Sequence, residues 1–263
     1  YYEDAGLPVY FVDNEYYFRR HGLYGYYDDG ERFAFFCRAV LESLPKIPLK
    51  PELIHCHDWQ TAMICTLLKT TYRQQPFYEQ MRTLYTVHNL KYQGLFPKET
   101  LGELWGLNWE QFTSDGLEFY DQLNCMKGGI VYADAVSTVS RTYSQEIQQP
   151  FYGEKLEGVL KQREPVLYGI TNGIDETRYN PVSDPSLFVN YDWTEWPKKK
   201  QNKEALQEQL GLRIQGSTPM LAMVTRLVEP KGLDLVAAVL YELMTEDVQL
   251  VVLGCGDKQY EHM

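Results

Sequence analysis

The sequence predicts an α/β protein whose parallel sheets are covered by helices. Three observations carry that expectation. Short β-branched or aliphatic runs alternate with longer segments of helical spacing. The composition, 44% hydrophobic and 23% charged, is that of a chain with a core. The 263 residues suffice for one large domain or two modest ones.

Taken in order, residues 9–12 read as a short strand. In residues 32–44 the apolar positions Phe33, Phe36, Cys37, Val40, Leu41 and Leu44 fall at helical spacing, and Pro45 ends the run. Residues 53–55 read as a buried strand, 60–72 as a helix and 84–87 as the next strand. Residues 99–105 predict a short helix and 121–132 a longer one. A strand is expected at 135–139, with Ser140 suited to cap a helix reaching about residue 148, and 166–170 is again extended. Residues 180–200 hold Pro181, Pro185 and Pro197 with little periodicity and read as an irregular connection. Residues 202–210 predict a helix stopped by Gly211, 220–225 a strand, 232–244 a helix and 248–253 a strand closing on Gly254-Cys255-Gly256-Asp257. The break near 168–215 divides the chain into two α/β domains, 1–168 and 169–263.

Charge and cysteine usage narrow the function classes. A net charge of −11 repels polyanions, and Lys198-Lys199-Lys200 is better read as a solvated helix start than as a patch for nucleic acid. The five cysteines are odd in number and include no Cys-x-x-Cys pair, so neither a disulfide framework nor a cysteine zinc site is expected and a reducing cytosol fits. No apolar run reaches membrane-spanning length. The 21 Tyr supply flat faces with hydroxyls that suit sugar rings, or else half-buried core edges. Both ends of the chain read as cut.

In folds of this class ligands bind beyond the carboxyl ends of the strands, and the polar residues there form a pattern. The strand at 53–55 runs into His55-Cys56-His57-Asp58-Trp59. His57 could hydrogen-bond substrate hydroxyls, the His-x-His pair could ligate zinc, or Asp58 could simply cap a helix. His88-Asn89 closes the next strand, followed by Tyr92-Gln93-Gly94, and offers fixed donors and acceptors or a tight turn. The strongest pattern is Thr225-Arg226-Leu227-Val228-Glu229-Pro230-Lys231-Gly232. Pro230 suits a first helical turn, and backbone N–H groups at a helix start favour anions. With Arg226 and Lys231 converging across the loop, a diphosphate site is expected there. The bland alternative is a surface ion pair with Glu229 or Asp234. Thr171-Asn172-Gly173 reads as a tight turn or a cleft contact. Gly254 and Gly256 would let backbone approach a ligand closely, but lack the third glycine of a dinucleotide fingerprint.

Together these motifs resemble those of the bacterial and plant glycogen/starch synthase family, and they occur in the family's order. The segments are His55-Cys56-His57-Asp58-Trp59, Thr86-Val87-His88-Asn89 with Tyr92-Gln93-Gly94, Thr171-Asn172-Gly173-Ile174-Asp175, and Thr225-Arg226-Leu227 with Lys231-Gly232-Leu233-Asp234. Tyr27-Asp28-x-x-x-Arg32-Phe33 and Gly116-Leu117-Glu118-Phe119 are also similar to family segments. The resemblance implies the GT-B architecture, two Rossmann-like domains facing a cleft, with the second truncated. It implies transfer of glucose from ADP-glucose, or UDP-glucose as second choice, to the non-reducing end of an α-1,4-glucan with retention. On that basis Arg226 and Lys231 would stabilise the departing diphosphate and His57 would contact the transferred glucose. Asp28, His88, Asn89, Tyr92, Gln93, Asn172, Gly254 and Gly256 would be further substrate contacts. No metal or cofactor is implied, since the nucleotide sugar is a substrate. A cytoplasmic site is implied, or a plastid for a plant or algal source. The family's Lys-x-Gly-Gly-Leu loop is expected before residue 1 and its second-domain carboxylate pair after residue 263, so residues 1–263 alone are expected to have little activity. Alternatives are another retaining glycosyltransferase of sucrose or trehalose type, a zinc hydrolase built on His55 and His57, or a non-catalytic glucan-binding module.

Overall fold

A computed structural model describes residues 2–4 and 6–263. The chain divides into two compact units, Tyr1–Gly173 and Ile174–Met263.

The first unit opens with an antiparallel pair, β1 (Tyr2–Asp4) and β2 (Leu7–Val9). The strand expected at residues 9–12 lies earlier, because the register sets Tyr2 opposite Val9 and the ladder ends there. A single turn, α1 (Glu15–Phe18), is capped by the Asn14 side chain, which accepts from Tyr17 N. Then comes α2 (Asp29–Ser43), which buries Ala34, Cys37 and Leu41 on one face and passes into a 3-10 turn at Pro45. Burying a leucine of this kind contributes roughly 1.5–3 kcal/mol.

The central sheet is parallel, in the order β3 (Leu53–His57), β4 (Arg82–Val87), β8 (Ala135–Thr138), β9 (Leu167–Gly169). Its crossovers carry α3 (Asp58–Lys69) and, among others, α5 (Cys125–Tyr132) and α6 (Arg141–Glu146). Met63, Leu67, Tyr85, Met126 and Ile130 are fully buried in the core between sheet and helices. β3 is not the buried strand its composition suggests. It is an edge of this sheet, and Leu53 keeps half of its surface exposed.

A three-stranded antiparallel sheet, β5 (Leu95–Pro97), β7 (Gln122–Asn124) and β6 (Glu118–Phe119), replaces the first turn of the helix expected at 121–132. Tyr120 and Asp121 turn the hairpin at φ +50° and +64°. Helix α5 then begins where the Asn124 side chain accepts from Lys127 N. Strands of two or three residues are too short to show a period of two. The remaining elements of the unit are α4 (Thr100–Glu103) and α7 (Glu157–Gln162). Ser140 caps α6 as expected, accepting from Tyr143 N.

Asp134 ties the amino end of the sheet to a helix. Its carboxylate accepts from Lys69 Nζ at 2.7 Å, Arg82 at 3.1 Å and Thr83 N at 2.8 Å. Partial burial pushes its pKa up, but those bonds outweigh it and hold the carboxyl at about 2. Cys37, Cys56, Cys65 and Cys125 are buried, and Cys255 is exposed. Burial raises the Cys37 and Cys125 thiols well above the usual range.

The second unit pairs β10 (Met220–Val224) with β11 (Gln249–Leu253) in parallel, with α8 (Lys199–Gln209) before them, α9 (Leu233–Leu243) between them and α10 (Lys258–Glu261) after. The lysine run does start a helix, through a 3-10 turn at Pro197. Residues 174–195 are irregular, and the Asp175, Asn180, Asp184 and Asp192 side chains accept from backbone N–H groups two residues on. Among the described residues no helix is long and apolar enough to cross a membrane.

Candidate functional site

The parallel register puts His57 opposite Thr86, and Thr86 opposite Ser137, so three strand ends stop at one level. Side chains there form linked pairs. His57 Nδ1 lies 2.9 Å from His88 Nε2. His55 Nε2 lies 2.6 Å from Thr86 Oγ1, which is 2.6 Å from Ser137 Oγ. The His55 and His57 rings stack with centroids 4.1 Å apart. Burial first, then the neighbouring imidazoles, pushes the His57 pKa below its ordinary value, and His55 is lowered for the same reasons. A neutral imidazole exposed at a strand end can both donate to and accept from a ligand hydroxyl. Among the described residues no three His, Cys, Asp or Glu side chains converge as ligands for a metal ion. Of the nitrogens that His55 and His57 would offer to zinc, His55 Nε2 is turned to Thr86 and His57 Nδ1 to His88.

Asp58 does not cap α3. The helix start is held by Thr61, whose hydroxyl accepts from His57 N at 2.6 Å and bonds His57 O at 2.7 Å. Asp58 instead reaches across the sheet and accepts from His88 N at 2.9 Å, from a backbone at φ +52°.

The loop from His88 to Gly94 is pinned at each step. The Asn89 side chain accepts from Lys91 N at 3.0 Å, the tight turn that was one of its two readings. Leu90 N donates to Tyr143 Oη at 3.3 Å. Gln93, expected as a substrate contact, is buried with its amide engaged at both ends: Oε1 accepts from Asn124 Nδ2 at 2.6 Å, and Nε2 donates to Glu154 O at 3.0 Å. Gly94 adopts φ +66°, and a Cβ there would stand 2.5 Å from the Trp59 ring. That ring is itself packed edge-on against Phe33, 5.0 Å between centroids. Tyr92 is left on this frame with about half its surface exposed. Asp28 precedes α2 and takes both its bonds from Arg20, at 2.5 and 2.6 Å. The Arg20 guanidinium holds the Asp28 carboxyl below the usual carboxylate range. Asn172 lies in the exposed segment after β9.

In the second unit Arg226 follows β10, and Lys231 ends a 3-10 turn over Glu229–Lys231. Pro230 does sit in a first helical turn, the 3-10 turn, and the helix expected at 232–244 follows it. Gly232, at φ +72°, intervenes, and α9 begins at Leu233. Both cations are exposed, and neither forms an ion pair among the described residues. On the side where a Cβ would project, Gly254 and Gly256 meet backbone. A Cβ on Gly254 would stand 2.0 Å from Thr225 O, and one on Gly256 2.2 Å from Leu227 O. Between them Cys255 O accepts from Leu227 N at 2.9 Å, and Asp257 N donates to Leu227 O at 2.8 Å. The two glycines thus clasp the backbone on either side of Arg226. That close approach comes from one parallel bridge beyond the ladder, Leu227 to Gly256, which residue spacing alone does not reveal.

Comparison with known proteins adds to this geometry. Residues 1–162 match the family model described as the starch synthase catalytic domain. The chain is 57% identical over 257 residues to a glycogen synthase of Alkaliphilus metalliredigens, covering 98% of this chain and 54% of that protein. It is 54% identical over 256 residues to a glycogen synthase of Geobacillus stearothermophilus, covering 97% and 53%. The chain thus spans about half the length of the curated relatives it matches. Among solved structures it resembles the catalytic domain of starch synthase IV from Arabidopsis thaliana bound to ADP and acarbose. The TM-score is 0.88 at 35% identity, over 98% of this chain and 54% of the other. With the parallel α/β frame, the strand-end histidines and the clasped Arg226 in place, the chain belongs to the glycogen/starch synthase family, whose fold is of the GT-B type.

Proposed function

We propose that this protein serves in the transfer of glucose from ADP-glucose to the non-reducing end of an α-1,4-glucan, with retention at the anomeric carbon. The observation that carries the reading is the pair of cations after β10: two exposed positive side chains without ion-pair partners among the described residues, on a loop whose backbone two glycines clasp. In an acidic chain of net charge −11 such a loop suits a diphosphate. The solved relative is bound to ADP, which supports an adenosine diphosphate leaving group. The relatives' description as glycogen synthases supports a glucan acceptor.

In this reading a glucan hydroxyl attacks the anomeric carbon on the face from which the diphosphate departs. The new C–O bond forms as the C–O bond to phosphate breaks, and the hydroxyl proton passes to a phosphate oxygen. Arg226 and Lys231 stabilise the charge that grows on the diphosphate. His57, neutral and pinned, contacts a hydroxyl of the transferred glucose, and Asp28, Asn172 and Tyr92 are further contacts. We assign no cofactor, the nucleotide sugar being a substrate.

The test is glucose incorporation into glycogen by the full reading frame that carries this chain, with ADP-glucose and UDP-glucose offered separately. Arg226→Ala and Lys231→Ala should each lower the rate roughly 10²–10³-fold. Equal rates from both donors, or unimpaired variants, would sink the assignment.

A further inference from the structure

His57 ends β3 and His88 follows β4, so only one of them belongs to the sheet ladder. The last β3–β4 pair is His57 with Thr86, so His88 lies two residues past it, where the β3 ladder no longer dictates position. The β4–β8 ladder fixes the backbone as far as Val87, and beyond it a further contact must hold His88 within 2.9 Å of His57. The contact that does so is the Asp58 carboxylate, on His88 N at 2.9 Å.

Asp58 makes that contact from a sparsely populated backbone conformation. Its φ of +52° is one that Asn, Asp and Gly tolerate better than other residues. Retained strain of this kind marks a position that the surrounding structure over-determines, and such positions cluster where groups must be aimed. Here the surroundings are explicit. On one side Thr61 locks the His57 backbone through two short bonds. On the other, Leu90 N is tied to Tyr143 and Lys91 N to Asn89. The sharp turn at Asp58 is what lets a residue adjacent to His57 bond the backbone of His88.

We propose that Asp58 is a positioning residue for His57. By clamping His88 N it presents His88 Nε2 to His57 Nδ1. The hydrogen bond between them couples the tautomers of the two rings, and His57 Nε2 is left as the nitrogen that meets a ligand. The link to glucose transfer rests on the function proposed above; the clamp itself does not.

Two substitutions separate clamp from fold. Asp58→Gly accepts φ +52° without strain but removes the acceptor. Asp58→Asn tolerates the same φ and keeps an oxygen for His88 N. The first readout is ¹⁵N NMR of the imidazoles in the 263-residue chain, with His57 assigned through His57→Gln and folding followed by the thermal midpoint. The native protein and Asp58→Asn should show one tautomer for His57 with a hydrogen-bonded Nδ1. Asp58→Gly should keep a near-native midpoint yet average its tautomers. A native-like His57 signal in Asp58→Gly overturns the proposal, and so does loss of the signal in Asp58→Asn, whether or not the glycine variant folds. The second readout is glucose transfer by the full reading frame. Asp58→Gly should lower kcat about 10–100-fold, with the donor KM changed less than about two-fold, and Asp58→Asn should restore it. Unchanged kcat with the tautomer signature lost overturns the link to catalysis. Absence of transfer by the unmodified protein counts against the proposed function, and the NMR result decides the clamp independently.

Discussion

The first unit packs an apolar core beneath the strands that end in its exposed histidines, whereas the described residues of 174–263 hold Arg226 on a two-stranded parallel pair with few buried apolar side chains. Among the described residues of 174–263, the buried apolar side chains are Leu227 and Leu233. What else is buried there is largely amide. Gln207 Nε2 donates to Gln249 Oε1 at 2.6 Å, and Gln249 Nε2 donates to Arg213 O at 2.8 Å. The side chains beneath the strands that lead to His57 and His88 are close-packed, which fixes the strand ends. Arg226 is exposed and lies between two positions where glycine lets one backbone clasp another. Among the described residues, the first unit's strand ends are thus fixed by side-chain packing, and the Arg226 loop by main-chain hydrogen bonds.

The sharpest test of this contrast compares two leucines. Leu67→Ala in the core of the first unit should cost about 2–5 kcal/mol. Leu235→Ala, on a residue 69% exposed in the second, should stay within about 0.5 kcal/mol. Urea unfolding followed by circular dichroism measures both, and equal losses would break the contrast.

A smaller effect should come from Asp134, whose carboxyl falls from 3.8 to about 2 on folding. Because the folded value is the lower one, the stabilisation is complete above about pH 4 and disappears as pH falls through 2. Asp134→Asn should therefore cost about 2 kcal/mol at pH 7, with the gap between variant and native protein closing below pH 4. A gap that persists at pH 2 would show that charge is not its source.

The smallest effect should be on the stability of Arg226→Ala and Lys231→Ala. Both side chains are exposed and without ion pairs among the described residues, so unfolding should shift by less than about 0.5 kcal/mol. A larger loss would mean that these residues hold the fold rather than a ligand.

The strand and helix alternation was readable because each long element carries its own period: Cys37 and Leu41 of α2, and Ser140 at the start of α6, fall where spacing and capping place them. The placement of Arg226 and Lys231 on an exposed loop after β10 was legible for a similar reason, since cations in a loop after a strand form a local pattern. The roles of Asp58 and Gln93 were not. Asp58 looks like a helix cap until the β3–β4 register carries its carboxylate to a residue thirty positions away. Gln93 looks like a hydroxyl-binding amide until Asn124 and Glu154 close on it. Glycines 254 and 256 carry the same lesson, because spacing shows where a side chain is missing but not what fills the gap.

The distribution of thiols has a practical consequence. Four cysteines are sealed in the first unit, while Cys255 is exposed between the two glycines that clasp Leu227. A maleimide dye added to the folded chain therefore meets one accessible sulfur, and that sulfur sits on the loop whose carbonyl bonds the residue after Arg226. This chain carries its own attachment point for a fluorescent reporter on the loop beside Arg226.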